Sequence, residues 1–87
     1  MRLDFYRIYQ IVDVLDRDLA PKTDYKYRIG REGRFENLNH GTPMFFEYTN
    51  AEGILVTSNV EDINTKEAVI VVTTDNSIYK FKEVKGK

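Results

Sequence analysis

Cysteine and tryptophan are absent from the chain, and histidine occurs once. Without cysteine there is no disulfide framework, no thiolate metal site and no thiol nucleophile. With His40 alone there is no multi-histidine metal site either. Alanine, the best helix former, occurs only three times. Long apolar runs are missing: the longest covers residues 68–72, whereas a membrane helix needs about 20. The first residues do not read as a signal peptide, because Asp4, Arg7, Gln10 and Asp13 interrupt the apolar positions. A cytoplasmic protein with no membrane partner is expected. Excess charge is also lacking. The chain's 13 basic and 14 acidic residues leave a net −1, so no global field steers it to nucleic acid or anionic lipid.

What is present suffices for one domain over residues 1–87, with 41% hydrophobic and 13% aromatic residues. Val, Ile and Thr together supply 22 residues, which tilts the chain toward strands. Residues 68–74 are a continuous β-branched run, as expected of a strand buried on both faces. Asp75 and Asn76 signal a turn. Residues 77–83 then alternate, with Tyr79 and Phe81 on one face and Lys80 and Lys82 on the other. A second hairpin is expected from residues 43–49 and 54–60, with Asn50-Ala51-Glu52-Gly53 as its turn. Residues 61–67 read as a polar connection with its tip at Asn64, Thr65 and Lys66. Residues 25–29 alternate aromatic or apolar against basic, which predicts a short half-buried strand. Gly30 and Gly33 break that strand, and residues 35–39 read as a single helical turn or an irregular loop.

Residues 3–19 fit two descriptions. Leu3, Ile8, Ile11, Val12, Leu15 and Leu19 make a helical stripe. Yet Phe5, Tyr6, Ile8, Tyr9, Ile11, Val12 and Val14 are mostly better strand formers than helix formers. A bent strand at a barrel corner produces the same letters. The predicted fold is therefore all-β, a small five-stranded SH3-like barrel. The alternative is an α+β fold with an N-terminal helix over residues 4–19. The expected core is Ile8, Val12, Tyr27, Ile29, Phe46, Tyr48, Val56, Ile70, Val72, Tyr79 and Phe81.

Catalytic constellations are weak. His40 with Ser58 or Ser77 makes no nucleophile turn. The acid pairs Asp13 with Asp16, Asp16 with Asp18, and Glu61 with Asp62 read as solvated loop groups, because so small a barrel has little room for a carboxylate-lined cleft. The expectation is a non-enzymatic protein with no cofactor and no metal site, whose chemistry is binding.

Charge distribution suggests where. Residues 25–34 carry a net +3, residues 35–75 a net −6 and residues 76–87 a net +3. If the fold joins the two basic segments, one face is positive on a nearly neutral protein. The string Ile29-Gly30-Arg31-Glu32-Gly33-Arg34-Phe35 resembles the I-G-x-x-G loop of KH domains over seven residues. The strand expected before it and the Gly41 and Pro43 soon after it depart from that family. The string reads as a glycine-bent loop between barrel strands.

Three stretches carry a wider resemblance: Tyr27-Arg28-Ile29-Gly30-Arg31-Glu32-Gly33, Phe46-Glu47-Tyr48 through Val56-Thr57-Ser58-Asn59-Val60, and residues 72–81. Together they resemble small proteins encoded by phages and prophages of low-GC Gram-positive bacteria. The resemblance implies a mobile-element origin and an intracellular setting, and it carries no active site. The expected function is a small protein-binding module that docks on an unidentified host or phage protein. Arg28, Arg31, Arg34 and Phe35 are the expected partner contacts, with Phe35 as an anchor if it is not core. The alternative is binding of RNA or single-stranded DNA. It would use strand 25–29, loop 30–34 and the C-terminal strand, with Lys26, Lys80 and Lys82 as added contacts.

Overall fold

The strands are β1 (Tyr9–Leu15), β2 (Glu32–Asn37), β3 (Pro43–Tyr48), β4 (Ile54–Lys66), β5 (Val69–Thr74) and β6 (Ile78–Glu83). Each pairs antiparallel with the next, and β6 pairs with β1, so the sheet closes on itself as a barrel. The computed structural model describes residues 6–84. Leu3 of the N-terminal helical stripe, Phe5 of the strand formers weighed against it, residues 4–5 of the alternative helix, and Lys85 and Lys87 of the basic C-terminal segment lie outside the described residues. The all-β class holds, with six strands in a ring where five were expected.

β1 is a strand and not the alternative helix, in keeping with the branched side chains of Ile11, Val12 and Val14. Its interior face differs from the expected one. Ile8 and Val12 are half-buried, while Tyr9, Ile11, Val14 and Leu15 are buried. The register with β6 slips between Ile11 and Asp13. This bulge at Val12 lets two odd positions and an even one share the interior. The register also slips between Phe35 and Asn37 in β2 and between Val60 and Asp62 in β4. Between β3 and β4 it slips past Met44, whose N–H is taken up by Thr57 Oγ1 at 3.1 Å. Such bulges bend strands enough to close a small ring.

Three further expectations are corrected. The stretch 25–29 is not a strand: Thr23–Arg28 is a 3-10 helix with no buried residue. Residues three apart eclipse in this helix, and that places the Arg28 guanidinium 3.9 Å from the Tyr25 ring centroid. Tyr27 and Ile29 are exposed and are not core. Next, residues 35–37 form no helical turn or loop but belong to β2. Gly33 lies inside that strand, where an added Cβ would strike the Glu47 carbonyl and come 2.9 Å from the Phe46 ring. The G-x-x-G string is thus a turn at Gly30 followed by a close strand contact at Gly33. Finally, the polar connection 61–67 is mostly the second half of β4. The reversal is Glu67-Ala68, with φ of 52° and 66°, between the paired Lys66 and Val69. Two successive positive φ values are the mark of a tight type I′ hairpin turn.

The interior is built around Phe35. Its ring centroid lies 5.2 Å from Tyr9, 5.1 Å from Phe46 and 4.9 Å from Phe81. Phe46, Ile70, Val72, Tyr79 and Phe81 are buried as expected, while Tyr48 is only half-buried. Val56 points outward and is 54% exposed. No buried side-chain nitrogen or oxygen among the described residues lacks a hydrogen-bond partner. No helix among them is long and apolar enough to cross a membrane.

Candidate functional site

The segment between β1 and β2 is tied to β1 by backbone bonds. Lys22 N donates to Val14 O at 3.0 Å, Gly30 N to Ile11 O at 2.8 Å, and Ile11 N to Arg31 O at 2.9 Å. Tyr25 packs against the core. Arg28 Nη1 donates to the buried Tyr79 hydroxyl at 2.7 Å, and its Nε donates to the Tyr27 hydroxyl at 3.3 Å. Burial pushes the Tyr79 hydroxyl above its ordinary pKa, and the nearby Arg28 charge only partly opposes this. Burial also opposes the Arg28 charge, but the tyrosine oxygens around it outweigh that and raise its pKa.

This anchoring builds an alternating stack. Lys22 Nζ lies 4.7 Å from the Tyr25 ring centroid. The Arg28 guanidinium lies between Tyr25 at 3.9 Å and Tyr27 at 5.5 Å. The Arg31 guanidinium comes 5.4 Å from Tyr27 and 4.7 Å from Tyr48 on β3. Each such contact is worth about 0.5–1 kcal/mol where it is exposed. Asn50, in the β3–β4 turn, fixes the junction. Its Oδ1 accepts from Glu32 N at 2.8 Å and its Nδ2 donates to Gly30 O at 3.3 Å. The backbone on both sides of Arg31 is thereby held against the hairpin that carries Tyr48.

Beside the stack runs an open groove of about 370 Å³, lined by Tyr27, Arg28, Arg31, Tyr48, Ile54 and Val56, with Glu52 also present. Leu55 is buried, so its neighbours Ile54 and Val56 face outward, 46% and 54% exposed. Phe45, the cross-strand partner of Val56, extends the exposed apolar surface.

Of the expected contacts, the fold brings Arg28 and Arg31 together. Arg34 lies elsewhere, on the outer face of β2 opposite Glu47, with its Nε donating to Tyr6 O at 3.3 Å. Phe35 is not available as an anchor, because it is 1% exposed at the centre of the aromatic core. Lys26 is exposed on the 3-10 helix. Lys80 and Lys82 are on β6, paired with Asp13 and Gln10 of β1 and with Val71 and Val69 of β5, and they do not line the groove. Tyr48, Ile54 and Val56 were missed as surface. The apolar run Ile54-Leu55-Val56 contains no polar residue to mark which face is wet.

The chain matches no known protein family, no curated protein and no solved structure in the comparisons made.

Proposed function

We propose that the chain is a non-enzymatic protein-binding module and that its partner surface is the groove beside the tyrosine–arginine stack. The single observation behind this reading is the juxtaposition of Tyr27, Arg31 and Tyr48 with the outward-facing Ile54 and Val56. Tyrosine and arginine are enriched among residues that dominate protein interfaces. Stacking holds the long arginine side chains in place before a partner arrives, which lowers the ordering cost of association. Exposed aliphatic side chains gain from covering by another protein and little from a phosphate backbone. The groove is lined by side chains, so recognition there works through side chains and not by adding a strand. A phage or prophage origin and a cytoplasmic setting belong to the same reading, as does the finer likeness to SH3-like barrels.

The test is capture from a lysate of a low-GC Gram-positive bacterium by the immobilised full chain, with and without nuclease, alongside a Tyr27→Ala/Val56→Ser variant. Both substituted residues are exposed, so the variant keeps its fold. The expected result is a nuclease-resistant protein retained by the native chain and reduced at least tenfold on the variant. Recovery of nuclease-sensitive material alone, or equal retention by the variant, overturns the reading.

A further inference from the structure

The protein-binding reading leaves open the chemistry of the partner, and Arg31 points to it. The other described arginines have polar partners. Arg7 pairs with Glu83 at 2.7 Å and Arg17 with Glu61 at 3.0 Å. Arg28 is bonded to tyrosine hydroxyls and Arg34 to the Tyr6 carbonyl. Arg31 alone among them takes part in no ion pair and no side-chain hydrogen bond among the described residues. Its guanidinium instead lies over the Tyr27 and Tyr48 rings, 5.4 and 4.7 Å from their centroids. A guanidinium held by ring contacts alone keeps its N–H donors for a ligand, and its planar fork matches a carboxylate with two parallel hydrogen bonds. Asn50 fixes the backbone on either side, so the group is placed before any ligand binds.

Resting on the protein-binding reading, we propose that the groove takes a partner segment with an acidic side chain next to an apolar one. The carboxylate sits on the Arg31 edge. The apolar neighbour lies over Ile54 and Val56, which stand two residues apart on one strand face, about 7 Å from each other. The donor is a side-chain guanidinium and not the cradle of backbone N–H groups that captures a chain terminus. A guanidinium takes any carboxylate, and the occupant proposed is the side chain of a glutamate or aspartate within the partner. Charge complementarity favours it, since Arg28 and Arg31 both line the groove, against Glu52 alone.

The experiment probes the full chain with an array of acetylated, amidated pentapeptides. The central residue is glutamate and the flanks vary over Leu, Ile, Val, Phe and Tyr. A matched array carries glutamine at the centre, and oligothymidylate serves as a nucleic-acid probe. The best glutamate peptide is expected to bind at least tenfold more tightly than its glutamine twin. Arg31→Gln should abolish that preference, and Arg31→Lys, which keeps the charge but loses the planar fork, should restore only part of it. Circular dichroism checks that both variants are folded. Equal binding of the two arrays, no binding by either, or a preference that survives Arg31→Gln overturns the carboxylate proposal. Equal binding that is lost in the Tyr27→Ala/Val56→Ser variant leaves the protein-binding reading standing. Saturable binding of oligothymidylate alone, dependent on Arg31, overturns both.

Discussion

Replacing Phe35 by leucine separates its role as core from the role of partner anchor that its place beside Arg34 suggests. Phe35 is 1% exposed and touches three other rings, at 5.2, 5.1 and 4.9 Å between centroids. Leucine keeps much of the apolar contact but loses the three ring pairs, each worth about 0.5–1.5 kcal/mol beyond burial. It also leaves a partly relaxed void. The expected cost is about 2–3 kcal/mol. A domain of this size has roughly 4–13 kcal/mol of total stability, so Phe35→Leu should fold with a much reduced margin. Thermal unfolding followed by circular dichroism should show a Tm lower by about 10–20 °C. Partner capture well below both melting temperatures should be unchanged. A Tm within about 2 °C of the native value, together with lost capture, would refute the packing argument and return Phe35 to the surface.

Two other substitutions test the turn and the buried hydroxyl. Ala68 has a φ of 66°, a conformation that costs a side chain about 1 kcal/mol or more. Ala68→Gly should therefore raise the urea midpoint by the equivalent of about 0.5 kcal/mol after the added freedom of the unfolded chain is deducted, and a lowered midpoint would contradict the strained turn. Burial raises the Tyr79 pKa in the folded state. Its contribution to stability is thus complete below the ordinary tyrosine pKa of about 10 and is lost as pH rises through the higher folded value. Urea unfolding at about pH 9 and about pH 11 should show the native protein losing more stability than Tyr79→Phe. Equal losses would mean that the hydroxyl is not held away from water.

The β5–β6 hairpin was legible because its signals agree: a β-branched run, an Asp-Asn turn and strict alternation through Tyr79 and Phe81, although the run was expected to be buried on both faces and only Ile70, Val72 and Thr74 of β5 are buried. β1 was legible as a strand but not in its faces, because the bulge at Val12 changes the parity halfway along and no letter marks it. Residues 25–29 misled for a different reason. Tyr25-Lys26-Tyr27-Arg28-Ile29 has the period of a strand. The 3-10 helix instead stacks Arg28 on Tyr25 three residues apart, a preference for ring and cation over pleat that binary patterning does not register. Glu67-Ala68 lacks the glycine or asparagine of a tight turn, so β4 was cut short at the wrong place. For the site, the basic residues drew attention to Arg28 and Arg31. The apolar half of the groove stayed hidden, because Ile54, Leu55 and Val56 are chemically alike and only the register of β4 decides which of them faces water.

The closed ring also sets the order in which the molecule can assemble. β1 pairs with β2 at only Tyr9 and Gln10, but with β6 along its whole length from Tyr9 to Leu15. Val84 N also donates to Ile8 O at 2.8 Å. Its main partner is thus the strand farthest from it along the chain. The successive hairpins from β2 to β6 close over short connections. Joining β1 to β6 directly from the unfolded chain would close a loop of some sixty residues, at an entropic cost of roughly 4 kcal/mol, whereas after the hairpins stand only the connection between β1 and β2 remains to be ordered. The cheaper order places the closure late, and a seam between distant strands slows folding toward the millisecond-to-second range of non-local β topologies. Until the seam forms, β2 and β6 have largely unpaired edges. Closure pairs the β6 edge along its length and the β2 edge only at Glu32 and Gly33, so the time spent before closure governs how long the β6 edge is open to aggregation.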